Sequence, residues 1–194
     1  MADGALSGRM RAIAGILVLG VAAVTVLGLR GCDETAAGDT ALVRIAGKPF
    51  HLELALDGKT RFQGLSGRTH IEPDGGKLFV FTSPIVTGFV MRDCPIPIDV
   101  IYLDQTGRIV AMHEMQPEPP RTEEEKKLSP PERFPNAPDW QWTNEAYESR
   151  LRQYPSRYAT QFVIELRGGT YRTLGVKEGD KVDLDIEGLK RRAQ

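Results

Sequence analysis

The sequence predicts an all-β domain, a sandwich or a barrel, carried behind an N-terminal signal or anchor helix. Three observations predict it. Short apolar runs with a period of two are separated by tight turns. The 20 Gly and 13 Pro favour turns and short strands over long helices. A charge-free apolar run, Ala12 to Leu29, precedes all of this.

A chain of 194 residues suits one domain plus an appendage. The 25 Lys plus Arg against 26 Asp plus Glu give a formal net charge of -1, so there is no electrostatic case for nucleic acid. Hydrophobic residues at 41% and charged residues at 26% are ordinary for a globular protein. Two cysteines, Cys32 and Cys94, are too few for a disulfide framework.

Arg9 and Arg11 stand before the apolar run, which as a helix spans about 27 Å, just short of a hydrocarbon core. It ends in Leu29-Arg30-Gly31-Cys32. A basic start, an apolar core and a small residue at the end describe a secretory signal. The stretch resembles a bacterial lipoprotein signal with Cys32 as the lipidated first residue, although Arg30 stands where a small uncharged residue is usual. The alternative is an uncleaved signal anchor. Either way the positive charges stay in the cytoplasm and the rest lies outside, tethered to a membrane in the cell envelope. Residues 1–32 are therefore expected as signal or anchor and 33–41 as a small, polar tether. The β domain is expected over 42–187, with a short tail over 188–194.

Regular structure begins with Phe50, Leu52, Leu54 and Leu56, alternating with His51, Glu53 and Ala55 as in a half-buried strand. Asp57-Gly58 turns the chain, and Thr60 to Leu65 suits one helical turn capped by Thr60. After Asp74-Gly75-Gly76 come strands over Leu78 to Phe81 and Phe89 to Met91. Pro95-Ile96-Pro97 is a rigid extended bend. Ile98 to Leu103 is apolar on both faces except at Asp99, which suits a strand covered on both sides, and Asp104 to Gly107 joins it to Arg108–Met115 as a hairpin. Phe162 to Leu166 and Val182 to Ile186 supply two more strands.

Residues 116–158 differ. They hold eight of the 13 prolines and both tryptophans, Trp140 and Trp142. Thr122 and Glu125 have capping-box spacing for a short helix over 123–128, and Asn144 to Gln153 suits a second. A connection of this length inside a domain is functional or disordered, and disorder alone does not explain two Trp.

Several of these pieces together resemble one family. Arg61-Phe62-Gln63-Gly64-Leu65-Ser66-Gly67-Arg68, Gly76-Lys77-Leu78-Phe79-Val80-Phe81 and Met91-Arg92-Asp93-Cys94-Pro95-Ile96-Pro97-Ile98-Asp99 are similar to the bacterial and archaeal domain of unknown function 192. Ile164-Glu165-Leu166 with Gly168-Gly169, and the Gly175 to Asp180 turn, are similar to the family's ending. The resemblance spans nearly all of residues 45–186. It implies a mainly antiparallel β domain, jelly-roll-like or a distorted barrel, often behind a signal or lipoprotein-type start, and it implies no activity. Ser66 stands where many members have Met, and the long insertion after Met115 replaces a short connection.

Candidate site residues follow from chemistry. Asp99 opens an apolar strand after the bend, so its carboxylate must be paired or must accept several N–H bonds. It either fixes the bend through backbone amides or lines a ligand pocket, facing Arg92 or Arg68. Arg92 suits bidentate carboxylate binding, Asp93 stands beside it, and Arg68 follows two glycines where a ligand can approach the backbone. Trp140 and Trp142 can stack on a sugar ring, anchor a protein partner or pack on their own domain. Spacing makes no metal site of His51, His70 and His113, no cofactor motif is present, and Cys94 has no visible partner base.

These motifs are turns, packing residues and isolated charges. They point to a non-catalytic binding or assembly module of the cell envelope, contacting an envelope glycan or protein partner. The rival readings are an envelope hydrolase or lyase using Asp99 with Glu114 or Asp93, and a scaffolding partner of a membrane complex.

Overall fold

The structure, a computed structural model, describes residues 40–194. The expected signal or anchor, the lipidation residue Cys32 and all but the end of the tether lie outside the described residues. Among the described residues no helix is long and apolar enough to cross a membrane.

Strand β1 (Thr40–Ile45) pairs antiparallel with β2 (Lys48–Ala55) through a two-residue turn. Ala46 and Gly47 both have positive φ, 49° and 77°, the twist that a tight hairpin requires. Helix α1 (Gly58–Gln63) then carries the chain across to β3 (Gly75–Ile85), which lies parallel to β2. Asp57 caps α1: its Oδ1 accepts the Thr60 N–H while Thr60 Oγ1 accepts the Asp57 N–H. The cap is thus Asp57 rather than Thr60, with Thr60 supplying the reciprocal bond.

After the short β4 (Gly88–Phe89), β5 (Ile98–Leu103) and β6 (Ile109–Met115) form the expected hairpin. Asp104 Oδ1 holds its turn by accepting the N–H groups of Thr106 and Arg108. Within the insertion are a 3-10 turn at Asp139–Gln141, helix α2 (Glu145–Arg150), capped by Asn144, and β7 (Tyr154–Pro155), which pairs with β4. The chain then returns as β8 (Thr160–Arg167), followed by α3 (Thr170–Leu174) and α4 (Ile186–Arg192).

The large sheet has the order β1-β2-β3-β8-β5-β6. It is one mixed sheet, parallel between β2 and β3 and antiparallel elsewhere, rather than the expected jelly-roll-like sandwich or distorted barrel. The physical reason is the crossover: α1 and the loop behind it return the chain in the same direction, which a meander cannot do. Two apolar layers cover the sheet. Val43, Leu52, Ile101 and Ile164 belong to one, closed by Val182 and Leu189; Phe79, Val100, Tyr102 and Val163 belong to the other, closed by Leu65, Met91 and Tyr154.

Two further expectations change. Val182–Ile186 is not a strand: Lys181 and Asp183 make isolated bridges to Arg108 and Arg44, and Asp185 caps α4, which occupies most of the expected tail. The Thr122–Glu125 pair makes both capping-box bonds, yet residues 123–126 remain a turn.

Candidate functional site

The second layer is broken by one acid. Alternation along β8 puts Glu165 on the same face as Val163, with Lys77 of β3 and Val100 of β5 directly beside it. The residue is 4% exposed, and its Oε2 is buried with no hydrogen-bond partner among the described residues. Lys77 would be the natural partner. Its Nζ instead donates to Gly64 O at 2.8 Å and lies 3.5 Å from Glu53, which also takes Arg68 through both oxygens at 2.6 and 2.8 Å. Burial pushes the Glu165 carboxyl up to about 8, against the opposing pull of Lys77.

That carboxyl lines a cavity of about 290 Å³. The end of α1 roofs it: Gly64 turns the chain with φ of 50°, and a Cβ there would stand 3.7 Å from Glu165 Oε2. The walls are aromatic. Phe79 and Phe89 meet edge-on at 4.8 Å, the Arg61 guanidinium lies 5.4 Å over Phe81, and that of Arg92 lies 4.4 Å over Phe62. Arg61 is held by the main-chain oxygens of Leu56, Val80 and Gln194. Cys94 also lines the cavity; burial, with the Glu165 charge second, pushes its thiol up to about 12, so it is no nucleophile at neutral pH.

The insertion clamps the rim. Glu148 of α2 takes Arg92 Nε and Nη2, both at 2.7 Å. Asp93, with φ of 52°, donates its N–H to Tyr147 Oη at 2.9 Å and receives Arg121 at 2.8 and 2.9 Å. The Arg121 guanidinium lies 3.7 Å over the buried Tyr147 ring. Trp140 meets Phe62 edge-on at 5.8 Å. Both members of the Arg92–Glu148 pair are less than a quarter exposed, so Glu148→Ala leaves a half-desolvated guanidinium behind, at a cost of about 1–3 kcal/mol. Hydrogen exchange should then quicken in residues 139–150 while the β8 amides stay protected; unchanged exchange in α2 would mean the clamp is not what holds it.

Of the candidates read from sequence, the fold brings Arg92, Asp93 and Trp140 together at this cavity, and only Arg92 lines it. Arg68 is spent on Glu53. Trp142 is 40% exposed and donates its Nε1–H to Ala137 O. Asp99 faces neither Arg92 nor Arg68. It is fully buried, accepts the N–H groups of Gly169 at 3.0 Å and Tyr171 at 2.8 Å, and thereby ties β5 to the loop before α3. Burial raises its pKa against those bonds. Both of its oxygens are thus engaged by the main chain, the role of fixing the backbone rather than of lining a pocket. His113 Nε2 lies 2.8 Å from Pro155 O, and among the described residues no three metal-binding side chains converge.

Glu165 itself was missed. The signal that marked Asp99, an acid within an otherwise apolar strand, is equally present in Phe162-Val163-Ile164-Glu165-Leu166.

Comparisons with known proteins agree with this architecture. A putative transcription regulator from Sinorhizobium meliloti 1021 is 25% identical, with a TM-score of 0.53 over 76% of this chain and 92% of its own. A protein of unknown function from Novosphingobium aromaticivorans DSM 12444 is also 25% identical, with a TM-score of 0.51 over 74% of this chain and 83% of its own. No curated protein matches the chain. The family model for domain of unknown function 192, described as Uncharacterized ACR, matches residues 41–184 and takes in the cavity, its roof and the insertion. The chain belongs to the domain of unknown function 192 family.

Proposed function

We propose that this is a non-catalytic binding module of the cell envelope, tethered to a membrane by its N-terminal segment, which holds a small ligand in the cavity over Glu165. One observation carries the reading: a wholly buried carboxyl with an unpartnered oxygen faces a cavity rather than a neighbour. Buried polar groups are nearly always satisfied, so an orphan of this kind calls for a partner from outside the chain. The volume is at the low end for ligand pockets, and aromatic walls with a few convergent polar groups are their usual lining. Among the described residues Glu165 is the single acid lining the cavity, and burial holds Cys94 there as a thiol.

Tryptophan emission of the full-length chain tests this, because Trp140 leans on Phe62 of the cavity wall. Titration with a panel of envelope glycans, small acids, amines and alcohols should give a saturable shift and a matching rise in Tm for one class. A panel that leaves both unchanged would sink the reading.

A further inference from the structure

The hydrogen bonds around Glu165 are one-sided. Arg92 gives its guanidinium to Glu148 and to Phe62 O. Arg61 gives its own to the main-chain oxygens of Leu56, Val80 and Gln194, at 2.6, 3.0 and 2.8 Å. Ser66 Oγ and Cys94 Sγ both donate to Arg92 O, at 2.7 and 3.4 Å, and Lys77 Nζ donates to Gly64 O. Each of these donors is spent on another oxygen, and none among the described residues reaches Glu165 Oε2. What the cavity leaves open is therefore an acceptor. The cations, by contrast, are answered: Arg92 by Glu148, Lys77 by Glu53, and Arg61 by three oxygens, that of Gln194 included.

We propose that the cavity takes a small neutral hydroxyl compound, its O–H donating to Glu165 Oε2 and its aromatic body lying among Phe62, Phe79, Phe81 and Phe89. This rests on the binding-module reading and gives its ligand a class. A buried acceptor is costly while it is unmet, and one donor meets it; a bare hydrocarbon would fill the space and leave that cost standing. A carboxylate ligand brings acceptors where a donor is wanted, and finds both guanidinium groups already engaged. An ammonium ligand would add a cation where Arg61, Arg92 and Lys77 already stand around one acid. A sugar carries more hydroxyls than four phenyl rings and one open acceptor can satisfy.

Four probes with one ring and different heads separate these cases: 2-phenylethanol, its isomer benzyl methyl ether, which has the same atoms and no donor, phenylacetate and phenethylamine. Each is titrated into the full-length chain in neutral maltoside micelles at matched free concentration, with tryptophan emission and Tm as readouts. The alcohol should bind at least about tenfold more tightly than the ether and than either charged probe. That ranking should hold at about pH 7 and at about pH 9, because a carboxyl accepts on either side of its pKa of about 8. Glu165→Gln keeps an accepting oxygen and should keep the preference for alcohol over ether. Glu165→Leu should abolish it, an outcome that a Glu165 serving the core alone would not give. The two wild-type affinities decide the matter even where the Leu variant does not fold. An ether that binds as tightly as the alcohol, or tightest binding by the acid or the amine, would overturn the hydroxyl ligand while leaving the binding module standing. Silence from all four overturns it as well; the module itself falls only if the wider panel is silent too.

Discussion

Gly76→Ala should cost about 4 kcal/mol or more, enough to leave a domain of ordinary stability largely unfolded. Gly76 lies in β3 between β2 and β8 with φ of 148°. A Cβ there would be driven into the main-chain oxygen of Glu165 and would stand 3.0 Å from Leu166 Cδ2 and 3.1 Å from Leu52 Cδ2. The methyl group thus pushes three strands apart at the sheet's centre, where main chain cannot give as a flexible side-chain end would. Strain at positive φ adds to the clash. Gly67→Ala is the control. It has φ of 77° but nothing within 4 Å of a Cβ, so it should cost only about 1–2 kcal/mol of strain. Urea unfolding of both variants against wild type measures the difference. Equal costs would show that conformation, and not the approach of β8, decides the glycine at 76.

Local pattern made most of the strands legible and very little of their order. The alternation of Phe50, Leu52 and Leu54 and the apolar run of Ile98–Leu103 are properties of single strands, and the buried faces lie where those periods put them. Strand β1 escaped because its hairpin turns on Ala46-Gly47; an Ala at φ of 49° carries none of the Asn or Asp signal of such turns. The parallel pairing of β2 and β3 is a long-range fact, set by a crossover whose helix is only six residues long and has no buried residue of its own. The site was half legible for a related reason. Arg92, Asp93 and Trp140 are visible as residue types out of keeping with their surroundings. Glu165 can be understood only with its neighbours: whether Lys77 answers it or turns to Gly64 and Glu53 depends on three strands and a loop meeting.

Stability should fall as pH rises from about 4.5 to about 8, and Glu165→Gln should abolish that fall. Unfolded, the carboxyl ionises near its ordinary 4.5; folded, burial holds its proton up to about 8. Between these values the folded chain binds one proton more than the unfolded chain, so each pH unit removes roughly 1.4 kcal/mol of stability. Below about 4.5 both states are protonated and nothing is lost; above about 8 both are ionised and the full penalty, on the order of 5 kcal/mol, remains. Gln has nearly the same shape and no charge to bury, so the variant should be the more stable chain at alkaline pH by that order. Asp99 is also raised by burial and acts with the same sign, but it is common to both chains, so the difference between their urea curves isolates Glu165. The same substitution should lower the Cys94 pKa and speed its alkylation at alkaline pH, because the Glu165 charge is the second cause holding that thiol up. Two parallel urea curves would mean that Glu165 already has its partner within the fold. A gain from Gln would mark an acid that weakens its own domain, and such a residue persists where a ligand, rather than the core, supplies what it lacks.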